Sequence, residues 1–173
     1  MASLEIIALV LTGLGLTASI TYYASVLRNQ NITREAQLYM QLFQKDTSTD
    51  FQKIVYNLSK LDTSNPEELD EHFSKDQELA AELRSFMFHL DGIGNMIRGG
   101  LITVERASRI GAGVGPIEFW FHLEPWILHY RETRNIPDYM SGFEFYAGEL
   151  VKYRENKGYP TTWKHEKQTF TKE

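Results

Sequence analysis

Glu118 and His122 stand four residues apart, and His129 follows seven further on, so all three can project from similar sides of one helix. Carboxylate and imidazole groups in that pattern can ligate a metal, as in the carboxylate sites built inside helix bundles. Such a site needs further inward ligands from other helices. His89 is the candidate, which makes Glu118, His122 and His89 the expected set. Asp91 lies only two residues from His89 and so points to a different helix face. The competing reading of Glu118 and His122 is an ordinary surface or half-buried pair without metal.

GIGNMIRGG (residues 92–100) has the close glycine spacing of a phosphate-binding loop. Its context is wrong. No strand precedes it, the glycines fall inside a helical pattern, and no Lys-Ser or Lys-Thr follows. Glycines at a helix crossing explain it better: each costs about 1 kcal/mol against alanine in a helix interior, which demands a packing reason. Asp91, Asn95 and Arg98 form a polar strip at spacings of four and three beside the apolar face. They are read as groups satisfying buried polar atoms between helices, or as a contact for a ligand or partner. Trp120 and Trp126 belong to a helix ringed by aromatics, which is either central or an interaction surface. No Ser-His-Asp set or activated nucleophile is visible, and no cofactor is implied.

The composition narrows the field further. The 173 residues suffice for one domain and an appendage, and 42% hydrophobic and 13% aromatic content can fill a core. There is no cysteine, which excludes disulfides, thiol catalysis and cysteine-ligated metals in this chain. A net charge of -5 argues against nucleic acid as a partner, because phosphate binding needs concentrated Lys and Arg.

These residues must be positioned by helices. Residues 6–27 carry no charge, and at roughly 1.5 Å per residue they reach the thickness of a bilayer's hydrocarbon core. Tyr22 and Tyr23 near the far end suit the headgroup layer. A cleaved export signal, with an Ala-x-Ser pattern near Ala18, and a soluble core helix are the alternatives. The missing basic n-region weighs against the first. Arg28 and Arg34 follow the run and no Lys or Arg precedes it, so the rest of the chain is expected in the cytoplasm. Ala8, Thr12, Gly15 and Ser19 make a small-residue strip on one face, suited to close approach by a second helix, its own copy or a partner's.

Beyond the run, TREAQLYMQLFQK reads as a helix capped by Thr33, either separate or continuous with the span. DTSTD reads as a turn, and FQKIVYNLSKL as a short helix. TSNPEEL is a helix start with Pro66 in the first turn. Leu79, Leu83, Phe86, Leu90, Ile93 and Ile97 mark a long helix at spacings of three and four. LITVERASRI holds a short helix capped by Thr103. Residues 116–131 form the aromatic helix, with a kink expected near Pro125. The last helix is placed from Ile136, with Tyr139, Phe143, Tyr146, Leu150 and Tyr153 on one face.

The fold class is thus all-α. A membrane anchor (1–27) precedes a helical cytoplasmic domain (28–155) and a mobile polar tail (156–173). The expected partners are the lipid bilayer and a protein, or a second copy, met through the membrane helix.

The segments YYASVLRNQ, TREAQLYMQLFQ, FHLDGIGNMIRGGLI, IEFWFHLEPWILHYRE and FEFYAGELV together resemble a family of uncharacterised single-span, membrane-anchored helical proteins of archaea and bacteria, a domain of unknown function. The likeness runs from about residue 15 to about 155. It implies a single anchor and a small cytoplasmic helical domain, and it carries no catalytic residue over to this chain. The function expected is a membrane-anchored interaction module: an accessory subunit, a scaffold or a signalling element. The alternative is a metal-binding protein or enzyme using the Glu/His cluster.

Overall fold

Four helix starts are written in a side chain that accepts from an unpaired N–H. Ser48 accepts from the Phe51 amide (3.3 Å), and Thr103 from Arg106 (3.3 Å). Asp76 accepts from Leu79 (3.0 Å). Asn65 accepts from Glu67 and Glu68 and returns its own amide to the Glu68 carboxylate at 2.8 Å, with Pro66 filling the first helical position. The computed structural model, which describes residues 2–110 and 113–162, contains seven helices among them and no strand. They are α1 (Ala2–Asp46), α2 (Thr49–Leu58), α3 (Pro66–Lys75), α4 (Gln77–Arg98), α5 (Val104–Ala107), α6 (Gly115–Arg134) and α7 (Ser141–Asn156). The polar tail expected from 156 onward lies, from 163, outside the described residues.

Two compact units follow one another, Met1–Met40 and Gln41–Glu173. The first consists of the greater part of α1. It is long and apolar enough to cross a membrane by length and composition, and none of its most apolar stretch is buried. Leu9 is 74% exposed and Leu16 62%. A helix packed in a core would bury such side chains. The hydroxyls in this stretch turn back onto their own helix: Thr12 donates to the Ala8 carbonyl, Thr17 to Gly13, Ser19 to Gly15 and Thr21 to Thr17, at 2.8–2.9 Å. The polar atoms that dilute the hydrophobicity are therefore paired inside the helix.

No separate helix begins at Thr33. α1 continues without interruption to Asp46, and nothing between Arg28 and Lys45 is glycine or proline.

The second unit is organised by α4 and α7. α4 packs against α2, α3 and α7, and α7 against α4, α5 and α6. Leu83, Met87 and Ile93 of α4, Ile117, Leu123 and Ile127 of α6, and Phe143, Tyr146 and Leu150 of α7 are nearly or wholly buried. Directed bonds tie the helices: the Tyr146 hydroxyl donates to the Ala107 carbonyl (3.0 Å), and the Trp126 indole N–H to Asp70 (2.7 Å). α6 runs through Pro125 as one helix, with Pro125 exposed.

α7 begins at Ser141, five residues later than the sequence pattern placed it. Asn135 closes α6 in the left-handed region (φ 54°), and Met140 is left-handed as well (φ 57°), so the segment between them is a turn. Arg131 holds that turn, donating to the Tyr139 carbonyl (2.8 Å) and the Glu144 carboxylate (2.8 Å).

Tyr139 packs its ring against Tyr130 (4.5 Å between centroids) and edgewise on Trp126 and Phe88. Burial first, and then the neighbouring Tyr130, push its phenol from 10 to about 12. The folded form thus holds this proton more tightly than the unfolded one. The resulting stabilisation is intact below pH 10 and disappears as pH rises through 12. Tyr146, also pushed up by burial, adds a loss in the same direction. Thermal unfolding of the full chain in detergent, followed from pH 9 to 12, should show a midpoint that falls with pH. In Tyr139→Phe the fall should be shallower.

Candidate functional site

α7 has no side-chain cap of its own, since Met140 stands where a Ser or Asp would. Asp91 of α4 supplies one across the interface. Its Oδ1 accepts from the amides of Gly142 (2.7 Å) and Phe143 (3.1 Å), while Oδ2 accepts from Asn95 (2.8 Å). Arg98 donates to the Ser141 carbonyl (2.9 Å) and lies 4.7 Å from the Phe145 ring centroid. The strip Asp91, Asn95, Arg98 is thus assembled with the start of α7, where a carboxylate also complements the positive helix end. Gly94 and Gly142 let the two backbones meet there.

Trp120 and Trp126 lie inside the unit, 5% and 4% exposed. Trp120 meets Phe143 edge to face at 5.3 Å, and Trp126 sits between Phe73 and Tyr130. Ala8, Thr12, Gly15 and Ser19 all fall on exposed positions of α1.

Of the three residues expected to bind metal, Glu118 and His122 line one cavity and His89 is placed elsewhere. His89 is buried, with its Nε2 2.5 Å from the Asp46 carboxylate and Phe51 edgewise on its ring. His129 stands apart, 3.7 Å from Asp70. No group of three or more His, Asp or Glu among the described residues is arranged to hold a metal ion.

The cavity encloses about 830 Å³ between the end of α1, α2, α4, the segment before α6, and α6 itself. That is within the size range of small-molecule sites, roughly 300–1,000 Å³. Phe51, Phe86 and Phe119 form a continuous aromatic wall, with ring centroids 5.8 Å and 4.7 Å apart along it. Polar atoms come from Asp46, Thr47, Gln52, Ser59, Arg109, Glu118, His122 and Tyr146.

His122 is set by the loop before α3. Asp62 accepts from the Ser64 hydroxyl (2.7 Å) and amide (3.0 Å), and these bonds hold its carboxyl below the usual range. The turn presents Thr63, whose hydroxyl donates to the His122 carbonyl and faces Nδ1 at 3.4 Å. Nε2 of His122 is buried without a hydrogen-bond partner.

Sequence reading found Glu118 and His122 but not Asp46, Gln52, Phe51 or Arg109 as their neighbours. Asp46, Phe51 and Gln52 come from α1 and α2, far off in the chain, and Arg109 from the turn after α5, so no spacing along α6 announces them.

No curated protein and no solved structure matches the chain. One family model does, that of the domain of unknown function (DUF4760), over residues 4–150. The match takes in α1 through most of α7, so the apolar helix is part of the shared sequence and not an addition to it. By that extent the chain belongs to the DUF4760 family.

Proposed function

We propose that this protein is a helical interaction module anchored in the cell membrane by α1 as a single span, with the unit from Gln41 onward in the cytoplasm. The observation that carries the reading is the uncovered apolar surface of α1. Leu9, Leu11, Leu14, Leu16 and Ile20 are each more than 60% exposed along consecutive turns. Water would penalise that surface by about 25 cal/mol per Å², and a bilayer removes the penalty. The internally paired Thr and Ser hydroxyls support the same placement, because hydrocarbon offers polar groups no other partner. Arg28 and Arg34, following the span, favour the cytoplasmic side for what comes after them.

The interaction role rests on the strip Ala8, Thr12, Gly15, Ser19. Its side chains are small enough for a second helix to approach closely, and a second copy of α1 is the simplest occupant.

The absence of cysteine makes the test clean. Single-cysteine variants are expressed in bacterial cells. Ser64→Cys, outside the span, should resist a membrane-impermeant maleimide until the cells are opened. Thr12→Cys and Gly15→Cys should give oxidised dimers well above those of Leu14→Cys, which faces away. The untagged protein should stay in the pellet after alkaline carbonate extraction. Release by carbonate would defeat the anchor, and labelling of Ser64→Cys in intact cells would reverse the orientation. Equal dimer yield at all three span positions would remove the strip as a contact.

A further inference from the structure

The described chain leaves the second unit beside the cavity. Gly158, left-handed at φ 68°, turns the backbone after α7, and the Tyr159 amide donates to the Arg154 carbonyl at 2.8 Å. Arg154 Nε donates in turn to the Pro160 carbonyl at 2.6 Å. The same guanidinium packs on the segment that opens α6: a Cβ at Gly113 would stand 2.6 Å from its Nη1 and 2.8 Å from the Ser108 carbonyl. Arg109, Gly115 and Pro116, which follow Ser108 and Gly113 closely in the chain, line the cavity. One side chain thus joins the exit of the C-terminal segment to the segments that form one side of the cavity.

The cavity offers an occupant mainly apolar surface. Phe43 remains 41% exposed, and Val55 and Phe119 are half-buried along the same lining. The ionic groups are engaged: Asp46 with His89 and Arg109 with Glu105, and Glu118 is not free either. Thr47, Ser59 and Tyr146 each give their one hydroxyl proton to a backbone carbonyl. Such a lining selects an apolar body rather than a charge.

Residues 163–173, WKHEKQTFTKE, follow the exit. The stretch is polar except for Trp163 and Phe170, and Trp163 stands three residues beyond Pro160. The other two tryptophans, Trp120 and Trp126, are already placed in the core. Tryptophan is the commonest kind of anchor for a docked segment, and it buries roughly 150–250 Å². A covalent tether also supplies a high effective concentration, so one anchor suffices where a free ligand would need several contacts. We infer that the cavity is the seat of the chain's own C-terminal segment, with Trp163 entering against Phe43, Val55 and Phe119. The segment covers an apolar site that would otherwise face water, and any other guest of the cavity must displace it. The inference uses only the second unit and does not depend on where α1 resides.

The chain has no cysteine, so introduced thiols report the cover directly. A Cβ at Gly115 meets nothing within 4 Å, and Gly115→Cys puts a thiol on the cavity lining. With the full chain in phosphatidylcholine nanodiscs, its alkylation by N-ethylmaleimide should be about tenfold slower than that of Gly115→Cys/Trp163→Ser. Ser59→Cys, also on the lining, should respond to Trp163→Ser in the same way and serves if Gly115→Cys does not fold. Ser85→Cys, exposed on α4 and outside the lining, should react at one rate with or without Trp163→Ser.

A second arm places the segment. Mild oxidation of Gly115→Cys/Lys164→Cys should give a disulfide within one chain, and Ser85→Cys/Lys164→Cys should not. Alkylation rates on the lining that ignore Trp163→Ser would overturn the inference. So would a disulfide from Ser85→Cys as abundant as that from Gly115→Cys, or one formed only between two chains.

Discussion

Gly94→Ala, the addition of one methyl group, is expected to destabilise the second unit by about 3 kcal/mol or more, against a typical domain stability of roughly 5–15 kcal/mol. A Cβ at Gly94 would stand 1.8 Å from the Gly142 carbonyl oxygen and 2.5 Å from its carbon. Both are backbone atoms, so no rotamer relieves the overlap. α4 and α7 must separate, and everything that depends on their approach loosens with them. Asp91 loses its bonds to the Gly142 and Phe143 amides, Arg98 its bond to Ser141, and the Phe143 ring its seat against Trp120. The first turn of α7 is then left without its only side-chain cap. Gly142→Ala meets the same barrier from the other side, 2.4 Å from the Asp91 carbonyl oxygen. Gly92 is the control. A Cβ there meets nothing within 4 Å, and its backbone is ordinary helix. Gly92→Ala should therefore stabilise by about 0.5–1 kcal/mol through helix propensity and the narrowed unfolded ensemble. Thermal melts of the three variants by circular dichroism check this: Gly94→Ala should lose on the order of 10 °C or fail to fold, and Gly92→Ala should gain a few degrees. Equal effects at 92 and 94 would show that the close crossing is absent.

That contrast also marks what a one-dimensional reading can reach. The glycine pattern in DGIGN points to a close helix crossing, and the crossing is there, but only Gly94 makes it. Gly92 and Gly94 are indistinguishable without knowing which side of α4 receives α7. Helix starts were legible wherever the cap is local, as at Asn65-Pro66 and at Thr103, because the capping atom and the amide it satisfies lie within three residues. The start of α7 was not, because its cap is Asp91, about 50 residues away, and because Met140 adopts left-handed backbone that its residue type does not announce. The apolar character of α1 was legible for the opposite reason: its run of 22 uncharged residues is contiguous in the sequence. Of the cavity, Glu118 and His122 were visible through their spacing on one helix. Its aromatic wall arises only when α2, α4 and α6 are brought together.

Asp46→Ala is the second substitution with a large expected effect, again about 3 kcal/mol of destabilisation. An acidic residue at the last position of a helix opposes the helix dipole, so Asp46 is not there for the sake of α1. It is there for His89. The two side chains are 9% and 5% exposed, the ring nitrogen is 2.5 Å from the carboxylate, and Phe51 closes over the imidazole. Water cannot replace the carboxylate once it is removed. The His89 N–H would be left buried without an acceptor, and loss of that bond costs more than the bond contributes when made. Asp46→Asn keeps an acceptor oxygen of nearly the same shape and should cost only about 1 kcal/mol. In the double variant Asp46→Ala/His89→Leu no polar atom is orphaned, so it should be more stable than Asp46→Ala alone despite carrying one change more. Urea unfolding in detergent of the wild type, Asp46→Ala, His89→Leu and the double variant gives the coupling directly, expected at about 1.5 kcal/mol or more between the two positions. Additive single effects would mean that the last turn of α1 is held by the packing of Leu42 and Phe51, with the ion pair idle. A coupling of the expected size would identify the Asp46–His89 contact as the polar clasp that fixes the end of α1 onto α4, in the same stretch of sequence that reads, residue by residue, as no more than a turn.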